Sequence, residues 1–218
     1  KLKDAGIAVI HVCSTVRHAQ KAQEAGVDAV VVSGTEGGGH SGFDQVTTFC
    51  LVPQAADAVD IPVIAGGGVA DARGLMGAVA LGAAGVCMGT RFMASKECPA
   101  HPNVKAAVVS AGDTSTTAVR HGSPAPAAGE KRGNRGFVEE RRGSVRLLLN
   151  DYLLGIMMKT GGAISYEALR SPSGGGRNAQ SNSTVDAFVH GNLETNSITV
   201  GQGAGLIRDI PSCRELIA

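Results

Sequence analysis

A histidine set among glycines is the first feature of this chain that could do chemistry. Residues 35–42 read Thr-Glu-Gly-Gly-Gly-His-Ser-Gly and follow closely on the apolar run Val30-Val31-Val32. Three successive glycines let backbone amides approach a ligand that a Cβ would hold off. His40 is the side chain of that octet able to exchange a proton near neutral pH. Together these properties suit a flat or phosphorylated ligand with a proton-transfer group beside it. Taken alone, the octet reads equally well as a surface turn that carries a histidine. Two more glycine-bearing segments, Gly66-Gly67-Gly68 and Gly89-Thr90-Arg91, also follow apolar runs.

The remaining candidates are weaker. His11 ends an apolar run and is expected to be a core histidine bonded to backbone. His18 reads as solvated helix surface, and His101, His121 and His190 lack acidic or cysteine companions, so no metal site is expected. Glu36 is open between orienting His40 and capping a turn. Arg91 is open between a phosphate and an ion pair on the rim. Cys87 is expected to be a small core residue, and Ser33 and Ser41 have no acid–base relay that would make either a nucleophile.

The elements that must position these residues are legible in the first hundred positions. Four short apolar runs, Ile7 to Val12, Ala29 to Val32, Pro62 to Ala65 and Gly85 to Met88, alternate with helical spacing. Val16, Ala19, Ala22 and Ala25 make the first helical pattern, which Gly26 stops. The second runs from Val46 to Val59 and is interrupted or restarted at Pro53. The third is expected at Ala72 to Leu81, with Asp71 as N-cap and Gly82 as stop. Continuous rather than alternating strand hydrophobicity points to a buried parallel sheet. In a TIM barrel the loops after the last two strands often bind phosphate, and the two later glycine clusters fit that arrangement.

Beyond residue 100 the pattern changes. Val104 to Ser110 reads as helix. Residues 112–148, rich in Gly, Ala, Pro and Arg, read largely as loop or poorly ordered chain, and Leu147 to Met158 regains a helical spacing. Ser171 to Thr184 reads as a linker, and the tail ends in a short helix, Ser212 to Ile217.

Composition bounds the function. Only 3% of the 218 residues are aromatic, so the core must be built from Ala, Val, Ile and Leu. A net charge of +1 argues against a surface that tracks nucleic acid. Five scattered cysteines without a CxxC pair are expected as reduced thiols of a cytoplasmic protein. No apolar stretch is long enough to span a bilayer, and no membrane partner is expected. The sequence starts at Lys1 without Met and is read as part of a longer protein.

With these pieces placed, the chain resembles the nitronate monooxygenase (2-nitropropane dioxygenase) family of FMN-dependent TIM barrels. The segments that carry the likeness are Val9-Ile10-His11, Val16-Arg17-His18-Ala19, residues 36–42, Ile61 to Gly68, Met88 to Phe92, and Gly203 to Pro211. The resemblance implies a (β/α)8 fold of which only the last four βα units are present, with a small, mostly helical C-terminal segment. It divides the chain into half a flavin-binding barrel at 1–111, a divergent segment at 112–150, and a helical insertion with the C-terminal segment at 151–218.

The resemblance also implies chemistry. Gly67, Gly68, Gly89 and Thr90 would hold the FMN phosphate, and Gly38 and Gly39 would lie against the flavin or its ribityl chain. His40 would act as general base toward a nitroalkane or as polar partner of a nitronate. The implied reaction is oxidation of the nitronate by dioxygen to a carbonyl compound and nitrite. One alternative is an NADH-dependent flavin reductase acting on a quinone or an enoyl thioester. Another is a catalytically incomplete half-barrel that binds a phosphate ligand. A homo-oligomer is compatible with this reading. Val12 stands where some members carry lysine, and Ser33 where some carry aspartate.

Overall fold

The computed structural model describes residues 1–42, 44–120, 143–159 and 185–218. Its first half repeats strand and helix: β1 (Ile10–Cys13), α1 (Val16–Glu24), β2 (Ala29–Ser33), β3 (Gly39–Ser41), α2 (Thr48–Ala56), β4 (Val63–Gly66), α3 (Ala72–Ala80), β5 (Gly85–Cys87) and α4 (Thr90–Met93). There follow α5 (Pro102–Val109), β6 (Thr116–Arg120), β7 (Ser144–Leu148), α6 (Asp151–Lys159) and α7 (Cys213–Ile217). The molecule is a mixed α/β structure with a parallel sheet at its centre.

That sheet has the order β1-β2-β4-β5, every pair parallel. Its strands alternate between two faces. Val30, Val32, Val63 and Ala65 turn toward the helices and bury against Ala19, Ala22, Leu51, Val52, Ala55 and Ala78. The small helix residues bring backbone close to backbone, which is how a core almost free of aromatic rings still packs densely. The opposite face carries Val12, Val31 and Ile64 in one register row. Val12 is 62% exposed at the outer strand, and β1 and β5 each pair on one side only among the described residues.

Helix starts follow the expected chemistry. Thr15 caps α1 by accepting from the His18 amide, and Asp71 caps α3 by accepting from the amides of Arg73 and Gly74. Pro53 does not interrupt α2, which runs through it to Ala56.

The second half departs from expectation. Residues 116–120 and 144–148, expected as loop, form strands, and β7 pairs antiparallel with both β6 and β3 in the order β3-β7-β6. The helix expected from Leu147 starts only at Asp151, because Leu147 and Leu148 finish a strand whose five residues are all buried. Arg146 in the middle of that strand hides its apolar character. The Pro- and Arg-rich motifs at 123–126 and 139–142, His121, and the linker at 171–184 lie outside the described residues. A second core joins α5 to the tail through Val104, Val108, Leu148, Ile198, Val200 and Ile207. Among the described residues no helix is long and apolar enough to cross a membrane.

Candidate functional site

The carboxyl ends of β2, β4 and β5 open on a cleft of about 320 Å³. Its walls come from three chain segments. The β2–β3 loop contributes Gly37 and Gly38, and the turn after β4 contributes Gly67 and Gly68. Gly89 and Thr90 at the start of α4 complete the third wall. Five of the six residues expected to hold a cofactor therefore meet in one place. The sixth, Gly39, is not among the residues lining this cleft; it pairs with Arg146 as the first residue of β3.

The glycines are required by geometry. Gly67 has φ +91°, and a Cβ there would lie 2.9 Å from the Gly34 carbonyl oxygen and 3.0 Å from the Gly37 nitrogen. Gly38 has an ordinary φ, yet its Cβ would come within 2.6 Å of the Gly201 nitrogen. These are backbone-to-backbone approaches, which only glycine permits. Walls so built bring backbone rather than bulky side chains to the cleft, the kind of surface on which an anionic oxygen can be held.

The tail supplies residues not foreseen from the sequence. Thr199, Gly201 and Gly203 line the same cleft. The Gly201 amide donates to Thr90 Oγ1 at 3.0 Å, and the Gln202 amide donates to the Glu36 carbonyl at 2.9 Å. Thr90 therefore accepts from the tail and ties it to the start of α4. The glycine spacing at 201–205 was the available signal, but nothing local ties it to positions more than a hundred residues earlier.

Glu36 has a clear role. Both carboxylate oxygens accept from the Thr48 amide, at 3.0 and 2.9 Å, and Oε2 also accepts from Thr48 Oγ1. It caps α2 from outside, since Thr47 at the N-cap makes no side-chain bond. Thr48 Oγ1 also stands 3.0 and 2.8 Å from the carbonyls of Gly66 and Gly67, so the capping pair holds the β4 turn against the loop leading to His40.

His40 lies on β3, opposite Val145, and faces a second cavity of about 630 Å³. It is thus held in a strand and is not on a free turn. His11, His18, Arg17 and Asp44 line this cavity with it, and Val12 and Ser33 belong to both cavities. His11 is exposed here rather than buried, because β1 is an outer strand of its sheet.

Arg91 faces away from the cleft. It is 5% exposed, donates to Asp209 Oδ1 at 2.9 Å and to the carbonyls of Ala94 and Asp209, and so ties α4 to the tail. Cys87 is exposed at the end of β5 and lines the cleft, where a core position was expected. Burial pushes the Cys13 thiol upward, which keeps it protonated and inert. His101 caps α5 by accepting from the Asn103 amide at 3.1 Å. No group of three or more His, Cys, Asp or Glu side chains is placed to hold a metal among the described residues.

The chain is similar over its whole length to known proteins. A family model described as nitronate monooxygenase matches residues 1–218. A (3aS,4S,5R,7aS)-5-hydroxy-7a-methyl-1-oxo-octahydro-1H-indene-4-carboxyl-CoA dehydrogenase from Rhodococcus jostii is 38% identical over the whole chain, which spans 64% of that protein's length. A probable nitronate monooxygenase from Staphylococcus aureus is 38% identical over 64% of the chain and 41% of its own length. Among solved structures, FabK from Thermotoga maritima superposes with a TM-score of 0.76 at 35% identity, covering 99% of this chain and 60% of FabK. A nitroalkane oxidase from Streptomyces ansochromogenes gives 0.66 at 26% identity, over 99% of this chain and 58% of its own. With the family model matched from end to end, the chain belongs to the nitronate monooxygenase family of flavin-dependent oxidoreductases.

Proposed function

We propose that this chain supplies the phosphate cradle and the proton-handling histidine of an FMN-dependent oxidoreductase that acts on an acyl thioester. One observation carries the reading: the cavity holding His40 shares Val12 and Ser33 with the glycine cleft, so the proposed proton-handling side chain adjoins the proposed phosphate site. The parallel sheet is read as the arc formed by the last four βα units of a (β/α)8 barrel. In that arc Gly67, Gly68, Gly89 and Thr90 would take the flavin phosphate, and Gly38 would lie against its ribityl chain. Gly39 serves the pairing of β3 rather than the cofactor.

Bound FMN supplies the electron-pair acceptor or donor. The protein supplies the rest. Val12 and Val31 give the glycine cleft an apolar wall, and the glycine backbone beside them would hold the phosphate. His40 takes the proton from the carbon next to the carbonyl in dehydrogenation, or returns it in reduction. The whole-chain relation to a protein named for dehydrogenation of a CoA thioester supports this substrate class.

Nitronate oxidation is the second reading, supported by the family model and by the nitroalkane oxidase superposition. There His40 would take the proton of a neutral nitroalkane, and dioxygen would reoxidise the flavin, leaving a carbonyl compound and nitrite. Anaerobic mixing of the flavin-loaded, full-length protein with an acyl-CoA, with NADH and with a nitronate separates the cases. Bleaching by acyl-CoA, or by NADH followed by recovery with an enoyl-CoA, supports the thioester reading. Bleaching by nitronate alone transfers the conclusion to the second. A full-length protein that binds no flavin even with added FMN refutes both.

A further inference from the structure

β3 is too short to hold itself in place, and the structure shows what holds it. Three residues long, it pairs on one side only among the described residues, with β7. Gln45 stands just beyond it in a left-handed backbone conformation, φ 51°, the one non-glycine residue with positive φ among those described. Such a conformation persists where surrounding bonds over-determine it, and it tends to mark functional positions. The Gln45 side chain shows what those bonds are. Its Oε1 accepts from Thr35 Oγ1 at 2.7 Å, and its Nε2 donates to the Gly42 carbonyl at 2.7 Å and to Ser144 Oγ at 2.8 Å. Ser144 Oγ is in turn 2.7 Å from Ser41 Oγ. One amide thus joins both ends of the segment that carries His40 to the strand beside it.

Arg146 closes the other side. Directly opposite Gly39 on β7 and only 7% exposed, it donates from Nε to the Thr35 carbonyl at 2.8 Å and from Nη1 to Thr116 Oγ1 at 3.2 Å. Its burial pushes the guanidinium downward, with Glu36 nearby acting in the opposite direction. A buried guanidinium spent on a loop carbonyl and a neighbouring hydroxyl is a costly way to hold a turn. Neither Gln45 nor Arg146 lines the flavin cleft.

The geometry points to Gln45 and Arg146 as positioning residues for His40, clamping the strand that carries it through Thr35, Gly42 and Ser144. This assignment rests on the proposed role of His40, and its test has one arm that does not. In the flavin-free, full-length protein, amide hydrogen exchange at Gly39 to Ser41 is followed in Gln45→Gly, which accepts the left-handed backbone but loses all three side-chain bonds. In the flavin-loaded protein, the same variant is compared for FMN affinity, limiting rate of flavin bleaching and substrate half-saturation. Exchange at β3 is expected to speed up, and the limiting rate to fall about 10- to 100-fold, while FMN affinity stays within about threefold. Arg146→Lys, with one point donor in place of a fork, is expected to recover part of what Arg146→Met loses.

Wild-type exchange and rate in Gln45→Gly would overturn the assignment. So would a parallel fall in rate, FMN affinity and melting temperature, which marks a purely structural role. If the wild-type protein binds no flavin, the oxidoreductase reading fails and the exchange arm still decides the clamp.

Discussion

Two glycines of the proposed phosphate cradle should fail in opposite ways when replaced by alanine. At Gly67, φ is +91°, where an L-residue costs about 1–2 kcal/mol. The new methyl would also sit 2.9 Å from the Gly34 oxygen, 3.0 Å from the Gly37 nitrogen and 3.1 Å from Thr48 Oγ1, so backbone must move. Adding a modest term for that displacement gives about 2–3 kcal/mol lost, which for a domain of this size is a fall in Tm of roughly 5–10 °C. At Gly89 the backbone is ordinary, φ −97° and ψ −66°, and a Cβ would meet nothing within 4 Å. Gly89→Ala should therefore leave stability unchanged or raise it by up to about 1 kcal/mol. Its methyl enters open space at the wall of the cleft, where the phosphate is proposed to bind. A tenfold loss of FMN affinity, about 1.4 kcal/mol, is expected there. Thermal melts of the flavin-free protein and fluorescence titration with FMN measure the two quantities separately. The reasoning is refuted if Gly67→Ala melts like wild type, or if Gly89→Ala binds FMN undiminished.

Four further outcomes are expected. His40→Ala should lower the limiting rate of substrate-driven flavin bleaching by about 100-fold or more with FMN affinity preserved; an equal loss in both would remove the proton-transfer role. Glu36→Ala strips the cap from α2 and should cost about 1 kcal/mol, read from denaturant midpoints. FMN should slow alkylation of Cys87, which lines the cleft, and leave the exposed Cys50 unaffected, as followed by site-resolved mass spectrometry. Bonds from the Ser212 amide and hydroxyl, then Lys96, hold the Glu215 carboxyl down at about 2. A depressed carboxylate pKa stabilises above the unfolded value and loses that contribution as pH falls through the folded one. Glu97, held down first by its bond from the Cys213 amide, acts in the same direction at the start of α7. The docking of α7 should therefore weaken as pH falls from about 4.5 toward 2, and Glu215→Gln should reduce that pH dependence in proteolysis of the tail, leaving the part due to Glu97.

The parallel half of the molecule was legible because its signals are local. Val30-Val31-Val32, the caps Thr15 and Asp71, and the glycines after each run act within a few residues of themselves, and helices α1 and α3 formed where the spacing placed them. The antiparallel sheet was not legible. Ser144-Val145-Arg146-Leu147-Leu148 has an arginine where strand periodicity should show an apolar residue, and its partner β3 is three residues that read as a turn. His11 and Cys87 were misplaced for a related reason: an apolar run says that a strand exists, but not whether its neighbours cover it.

By itself the sequence determined the elements that depend on near neighbours: parallel strands, capped helices, glycine turns at strand ends and a histidine beside one of them. Tertiary structure decided what those elements serve. Only folding brings Gly201 onto Thr90, sets Glu36 on Thr48 and lays Gln45 and Arg146 around the strand of His40. Each of these contacts is a hydrogen bond between segments with no local pattern to announce it, and its free energy is realised only when the packed core has brought both partners out of water.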